Sequence, residues 1–512
     1  MEMSIKGSKL GITIGVMCAA MMAVLDMTIV NVGLSDIRAS FGTPLDQIGW
    51  VSVSYMMANV VVIPLSGWLQ RRFGCRAYFT ASLLLFTAAS VLCGMAWSLP
   101  SLVIFRVLQG IGGGAIVPTA QNILLARYPK NEHSMAGALF GLGAFSGPLL
   151  GPAIGGYLID VASWHWIFLI NLPFGLLAAM LSWQHIEEPG FRPDRARIDL
   201  WGIALLAVGM ASLQYAMEEG NREDWCESRT ITILLIVASV ALVTFVVHEL
   251  ETDTPVVDFR IFKDRSYAAG TGINLLCGIA LFAGSYLVAL YCGAVMRYSA
   301  RDTGLVFLTA GSVQLLLMPA LGKLGASVDG RYLVGAGVAI MCVSLWLNGH
   351  LNNDNDFWGL ALPQMVRSSA MGLIFIPLSV ITLSHLRADQ RGNAAGLFNL
   401  TRELGGSIGT AWMGTRISQL SAQHAARLAE NISPDNFLAG EQIAAMQRGL
   451  GARIFSPAEG VLSLMNLRVT LQALIRSFNE AFLLLALVFL FALLLVALLK
   501  RPAPGVKEEA VH

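Results

Sequence analysis

Fourteen windows of about twenty predominantly apolar residues follow one another along the chain, near 10–33, 48–69, 78–97, 101–124, 135–159, 165–184, 199–217, 230–248, 268–292, 303–322, 332–349, 357–384, 393–413 and 479–499. A helix needs about 20 such residues to cross roughly 30 Å of hydrocarbon. In lipid each backbone N–H and C=O must be satisfied inside the protein, which leaves helices as the way for such windows to span. The chain is 55% hydrophobic and 13% charged, outside the range of soluble globular domains. The sequence therefore predicts an all-α polytopic membrane protein with fourteen transmembrane helices.

Lys and Arg gather in the cytoplasmic loops of such proteins. With the N-terminus inside, twenty Lys and Arg residues fall on the inner side and five in short outer loops, namely Arg38, Arg222, Arg229, Arg297 and Arg301. The excess predicts two cytoplasmic termini and an even number of helices. Lys6 and Lys9 before an apolar run resemble a signal peptide. That run is long, contains Asp26 and is followed by many more spans, so it reads as an uncleaved first helix.

The chain is similar to itself. "PLSGWLQRRFGCR" (64–76) aligns with "PALGKLGASVDGR" (319–331) at an offset of 255, and "AGALFGLGAFSGPLLG" (136–151) with "AAGLFNLTRELGGSIG" (394–409) at 258. The second span thus corresponds to the tenth and the fifth to the thirteenth. The predicted organisation is a six-helix bundle at 1–190, a linker with two inserted spans at 191–264, and a second six-helix bundle at 265–512 that includes a long outer loop, 414–478. Parallel repeats of six helices place a substrate site between the halves near the midplane, so the architecture already points to a transporter.

A few charges lie within the apolar windows, where an ionised group is costly and functional by default. At 1.5 Å per residue, Asp26 lies about 24 Å along the first helix and Arg106 about 7 Å into the fourth. Both fall in the outer third of the membrane. A carboxylate beside a fixed cation can exchange a proton when its surroundings change, because burial favours the neutral acid and the cation favours the carboxylate. Asp26 and Arg106, at similar depth, are each candidates for proton coupling, against the alternative of a static pair holding two helices. Arg402 and Glu403 lie near the midplane of helix thirteen. Glu403 is a candidate for a second proton or a cationic substrate, or for a structural network with Arg367 on helix twelve. Arg367 and Arg402 together would instead favour anionic or weak-acid substrates. Among polar residues expected to face the interior, Asn31, Gln109, Gln364 and Asn399 join Arg367 and Arg402 as candidate substrate ligands. Glycines at 143, 147, 151 and 155 recur every four residues in helix five, giving a smooth stripe for close helix approach, and Pro152 permits a bend there.

Several stretches are similar to a known family. "LDMTIVNVGL" resembles the first-helix motif of the fourteen-helix drug:proton antiporters of the major facilitator superfamily, EmrB/QacA type. "GWLQRRFGCR" resembles their loop 2–3 motif, "FRVLQG" their fourth-helix motif, and "GPLLGPAIGGYL" their fifth-helix antiporter motif; "WHWIFLINLPFG" is typical of the entry into helix six. The resemblance covers nearly the whole chain. It departs at Gln70, where the family carries an acidic residue, and at Ser35, where it carries Pro. It implies the major facilitator fold and proton-coupled export of hydrophobic or amphipathic compounds across a bacterial cytoplasmic (inner) membrane by alternating access. It further implies gating roles for Gly67, Arg71, Gly74, Gly147, Gly151, Pro152, Gly155 and Gly156, and, in Gram-negative relatives, a periplasmic adaptor protein and an outer-membrane channel as partners. A dedicated exporter or importer of one metabolite, such as a siderophore or an amino acid, is the alternative.

Other classes fit poorly. The seven cysteines form no CxxC pair, and no His, Asp or Glu cluster marks a metal or nucleophile site of a membrane enzyme, so no metal or cofactor is expected. "GIGGGA" (110–115) sits inside an apolar helix with no preceding strand, and no phosphate-loop motif occurs, so ATP is not the expected energy source. No basic patch interleaved with aromatics points to nucleic acid. The expected partners are an amphipathic small molecule, protons and membrane lipid. "ISQLSAQHAARLAENI" (417–432) has apolar residues at helical spacing, which predicts an amphipathic outer helix.

Overall fold

The computed structural model describes residues 8–43, 45–129, 132–189, 191, 199–252, 255–384, 386, 388–430 and 457–499. The long helices are α1 (Lys9–Phe41), α2 (Trp50–Phe73), α3 (Cys75–Gly94), α4 (Leu99–Arg127), α5 (His133–Val161), α6 (Asn171–His185), α7 (Leu200–Glu219), α8 (Arg229–Glu251), α9 (Arg265–Ala294), α10 (Ala300–Ser327), α11 (Gly330–Asn348), α12 (Phe357–Ser384), α13 (Ala388–Glu430) and α14 (Pro457–Val496). No β-strand occurs among the described residues. Among them, eleven helices are long and apolar enough to cross a membrane, which is consistent with the fourteen expected spans.

Helix ends are set by local chemistry. Ser98 and Ser101 form a capping box at the start of α4 and Ser299 and Asp302 another at the start of α10. Asp264 accepts from the backbone N–H groups of Ser266 (2.8 Å) and Tyr267 (3.0 Å) at the start of α9. Such side chains satisfy donors that the first helical turn leaves without partners. Gly42, at φ 62°, ends α1 eight residues beyond the expected boundary, because Ile37 is buried against Leu34 and Phe41 and their neighbours.

The first six helices pack on one another, chiefly α1 on α5 and α6, α2 and α3 on α4, and α3 on α6. In the second set α9 lies on α13, α12 and α14, while α11 lies on α12 and α14. The two sets meet where α2 lies along α13 and where α5 lies along α10 and α12. These pairings fit the internal repeat, since α2 corresponds to α10 and α5 to α13. α7 covers the seam between α2 and α13. Leu206 and Met210 share a core with Val60 and Ile63 of α2 and Leu397 and Leu400 of α13. Further out Gln214 hydrogen-bonds Ser407 at 3.0 Å and Trp225 donates to Thr415 at 2.7 Å.

The expected outer loop 414–478 is largely helical where it is described. α13 continues unbroken to Glu430 and α14 begins at Pro457; residues 431–456 lie outside the described residues. The amphipathic stretch is thus a continuation of α13, not a separate helix. Its apolar face, with Ile417 and Leu420 buried, packs on α14, and His424 meets Glu480 at 3.0 Å.

α9 and α13 cross with almost no room between backbones. A β-carbon at Gly405 would fall inside contact distance of the Leu275 carbonyl, and one at Gly278 inside that of the Arg402 carbonyl. Next to this crossing α9 makes one π turn, Ile279–Ala283. Gly405→Val should overpack the crossing by about 1–3 kcal/mol and lower the thermal unfolding midpoint of the detergent-solubilised protein. A midpoint equal to the wild type would mean that the two helices separate freely.

Candidate functional site

Asp26 and Arg106, expected at similar depth, meet. The Arg106 guanidinium donates to Asp26 Oδ2 at 2.6 Å, with 1% and 0% of the two side chains exposed. Asp26 Oδ1 accepts from Gln109 Nε2 (2.8 Å) and from Asn171 Nδ2 (2.7 Å). Arg106 also donates to the Gln109 carbonyl oxygen at 2.6 Å and, through Nε, to the Val51 carbonyl at 3.0 Å. Ser90 receives Gln109 and Asn171 at 3.1 and 3.0 Å and donates to the Phe168 carbonyl at 2.9 Å. The guanidinium lies 4.2 Å over the Tyr55 ring. Helices α1, α2, α3, α4 and α6 all contribute. A buried ion pair is tolerated only when its remaining hydrogen-bonding capacity is met, and these partners meet it.

The second feature is a cavity between the two sets of helices, with about 1310 Å³ of space, part of it open to solvent. Its polar lining includes Asn59, Gln314, Arg367, Asn399, Arg402 and Glu403, with the hydroxyls of Thr28, Ser285 and Ser368; Met27, Tyr55, Phe282, Phe307 and Met371 make much of the rest. The π turn of α9 puts Leu281 and Phe282 into this wall; such turns recur at functional sites. Asp26 and Arg106 do not line the cavity. Tyr55 belongs to both places, with its ring against Arg106 and its hydroxyl accepting from Asn59 at 3.1 Å.

The expected ligands divide accordingly. Asn399, Arg367 and Arg402 line the cavity, as does Glu403. Gln109 belongs to the carboxylate network instead, and Gln364 lies buried outside the cavity, donating to Asn348 at 2.8 Å. The side chain of Asn31 lies outside the described residues. Glu403 pairs with its neighbour Arg402 at 3.3 Å, and no pair with Arg367 forms among the described residues. Asn399 reaches across to Gln121 of α4 at 2.9 Å.

The expected gating residues also fall in two groups. Gly67 sits where α2 meets α13: a β-carbon there would stand 2.5 Å from the Asn393 backbone nitrogen. Gly74, at φ 84°, starts the turn into α3, whose first N–H groups at Cys75 and Arg76 donate to Glu188 at 2.9 and 3.0 Å. Arg71 is half-buried at the end of α2. Gln70 is held by Asn122 (2.8 Å) and donates to Thr119 (3.1 Å). The glycine stripe of α5 faces α1 within the same set of helices. A β-carbon at Gly147 would stand 2.6 Å from the Leu25 nitrogen and one at Gly155 2.7 Å from Ile29 Cγ1; one at Gly151 would collide with the Thr28 hydroxyl. Gly156 has open space around it, and the side chain of Pro152 lies outside the described residues. Among the described side chains, Ala138 and Leu142 in the inner half of α5 meet Ile376 and Leu321 of the other set. Ser90, Glu188 and Cys93, whose thiol reaches Gln109 Oε1 at 3.6 Å, were not singled out in the sequence, and Asn171 only as a polar residue facing the interior. Small polar residues in an apolar helix give little sign of which charge they serve.

The Major Facilitator Superfamily profile matches residues 16–410. The multidrug export protein EmrB of Escherichia coli strain K12 is 36% identical over 500 residues, covering 97% of each chain. The fatty acid resistance protein FarB of Neisseria gonorrhoeae is 34% identical over 502 residues, again 97% of each. The human organic anion transporter MFSD10 has the same fold at a TM-score of 0.58 and 14% identity, covering 94% of this chain and 99% of its own. The profile and the full-length relatives agree with the helical architecture, and the chain belongs to the Major Facilitator Superfamily.

Proposed function

We propose that this multi-pass protein of the bacterial cytoplasmic membrane exports hydrophobic or amphipathic compounds in exchange for protons. Membership in a transporter superfamily sets it among carriers rather than enzymes. The observation that carries the reading is the separation of two sites by one side chain. A buried, fully partnered carboxylate lies on one side of Tyr55, and an apolar cavity with a few polar groups lies on the other. Such a cavity suits amphipathic small molecules. The names of the relatives, a multidrug export protein and a fatty acid resistance protein, support the same direction.

The chemistry follows from the geometry. Asp26 receives hydrogen bonds from Arg106, Gln109 and Asn171 together. Its donors come from α4 and α6, so a shift of these helices against α1 removes donors and lets a proton replace them. Contacts at the inner ends, Gly67 with Asn393 and Ala138 with Ile376, close the cavity toward the side expected to be cytoplasmic. Transport then consists of 1–190 rocking against 265–500, with 191–264 bridging them. The outer extensions of α13 and α14 are the surface proposed for a periplasmic adaptor leading to an outer-membrane channel. Arg71, Gly74 and Gly67 form the inner latch.

The test uses inverted membrane vesicles and two permanently charged fluorescent amphiphiles, one cationic and one anionic, which a pH gradient alone does not move. Acidifying the lumen should drive accumulation of at least one, and a proton–potassium exchanger should release it. If neither accumulates above vesicles lacking the protein, proton-coupled export is wrong.

A further inference from the structure

The two halves treat their fourth-helix arginine differently. In the first, Arg106 on α4 faces α1 and finds Asp26 there. In the second, Arg367 on α12 faces α9, the first helix of that half, and finds a glycine. A β-carbon at Gly284 would stand 3.1 Å from an Arg367 terminal nitrogen, with no other atom closer than 3.9 Å. The arginine is kept and the carboxylate opposite it is missing. Among the described residues the Arg367 guanidinium makes no hydrogen bond or ion pair, and its recorded ring neighbour is Phe307 at 6.0 Å. It is 5% exposed and lines the cavity. A buried guanidinium without a counter-charge is costly, so this position asks for an anion from elsewhere.

The surroundings agree. Glu403, the cavity's carboxylate, is turned to Arg402 at 3.3 Å, which leaves Arg367 in excess. On α10, packed against α12, the Gln314 amide nitrogen is buried without a partner and also faces the cavity. A guanidinium and an amide N–H, both without acceptors, face the same largely apolar chamber. The acceptor left over there, Asn399 Oδ1, is on α13.

The geometry points to Arg367, assisted by Gln314, as the anchor for the acidic group of a lipophilic anion, a carboxylate or sulfonate on an aromatic or aliphatic body, seated where the first half carries Asp26. This deepens the export reading and rests on it for the direction of movement. It assigns proton and substrate charge to different halves. Arg106 stays neutralised by its own chain, while Arg367 is neutralised only when cargo is present.

The test is binding to the purified full-length protein in nanodiscs, with anilinonaphthalene sulfonate, its neutral sulfonamide analogue and the tetraphenylphosphonium cation as probes. The wild type should hold the sulfonate at least about tenfold more tightly than the neutral analogue. Arg367→Met should abolish that preference and Arg367→Lys should keep most of it. Should Arg367→Met fold poorly, Gly284→Asp asks the same question by addition. It supplies the missing carboxylate where only the flexible end of Arg367 must give way, occupies Arg367 and should remove the preference too. A wild type that prefers the cation or shows no charge preference overturns the assignment, as does unchanged sulfonate affinity in either Arg367→Met or Gly284→Asp. In inverted vesicles, sulfonate binding through Arg367 without pH-driven accumulation would overturn proton-coupled export and leave the anion anchor standing. Accumulation indifferent to both substitutions would do the reverse.

Discussion

Asp26→Asn should abolish pH-driven accumulation of substrate in inverted vesicles while leaving the protein in the membrane and its cavity able to bind. Asparagine has nearly the shape of aspartate but presents one acceptor and one donor. The site presents N–H donors from three residues, Arg106 to one oxygen and Gln109 and Asn171 to the other. Whichever way the amide turns, it sets an N–H against an N–H, and Arg106 loses its counter-charge. Removing one partner of a buried pair costs about 3–5 kcal/mol, so the unfolding midpoint should fall as well. Two readings separate the proton role from general damage. Binding of a cavity probe should survive, and downhill exchange of substrate without a pH gradient should outlast uphill accumulation. If the variant accumulates substrate like the wild type at matched expression, Asp26 is a structural clasp and the coupling group is elsewhere, with Glu403 next in line.

Gly67→Val should stop transport by holding the inner latch open. The β-carbon alone would stand 2.5 Å from the Asn393 nitrogen, 2.6 Å from its α-carbon and 2.7 Å from the Gly392 carbonyl carbon. These are backbone atoms of α13 and have no rotamer to move into. Overpacking of this kind costs about 1–3 kcal/mol, and each 1.4 kcal/mol shifts a two-state equilibrium about tenfold. The penalty falls only on the arrangement in which α2 and α13 touch, so the variant should fold and populate the other. The reporter is Ser66→Cys, placed at a residue buried beside Gly396, in a background freed of reactive native cysteines. In inverted vesicles, a membrane-impermeant maleimide should label it several-fold faster with Gly67→Val than without. Equal labelling together with normal transport would mean that this contact does not gate the cavity.

Much of this was readable in the residues. Long apolar windows have few physical outlets, so the helices stand close to where hydropathy places them. The similar depth of Asp26 and Arg106 was readable because a helix converts residue count into depth, but which helices face each other is not in that count. Other features depend on tertiary partners that local sequence does not name. A four-residue glycine spacing says that something approaches closely, and in α5 that something is α1, not the opposite half. A polar residue in a span says interior, but Gln109 serves a carboxylate, Gln364 serves Asn348, and Asn399 lines the cavity. The π turn of α9 arises beside a crossing with α13, far away in the chain. The helical spacing at 417–432 marked the outer part of α13, though not its continuity with the span; the outer part of α14 was hidden, because a helix that leaves the bilayer loses the apolar signal that marks a span.

Those extensions have a mechanical consequence. α13 has 43 residues and α14 has 40, so α13 is about 64 Å long, roughly twice the hydrocarbon thickness. The expected span ends at 413, and the 17 residues of α13 beyond it reach about 25 Å further, braced along one side by α14. That extension works as a lever whose pivot is the set of helices holding Arg402. Each 10° of tilt about Arg402 sweeps the tip at Glu430, about 42 Å away, by about 7 Å. A protein clasping that tip would feel, as a displacement in water, which way the chamber below is facing.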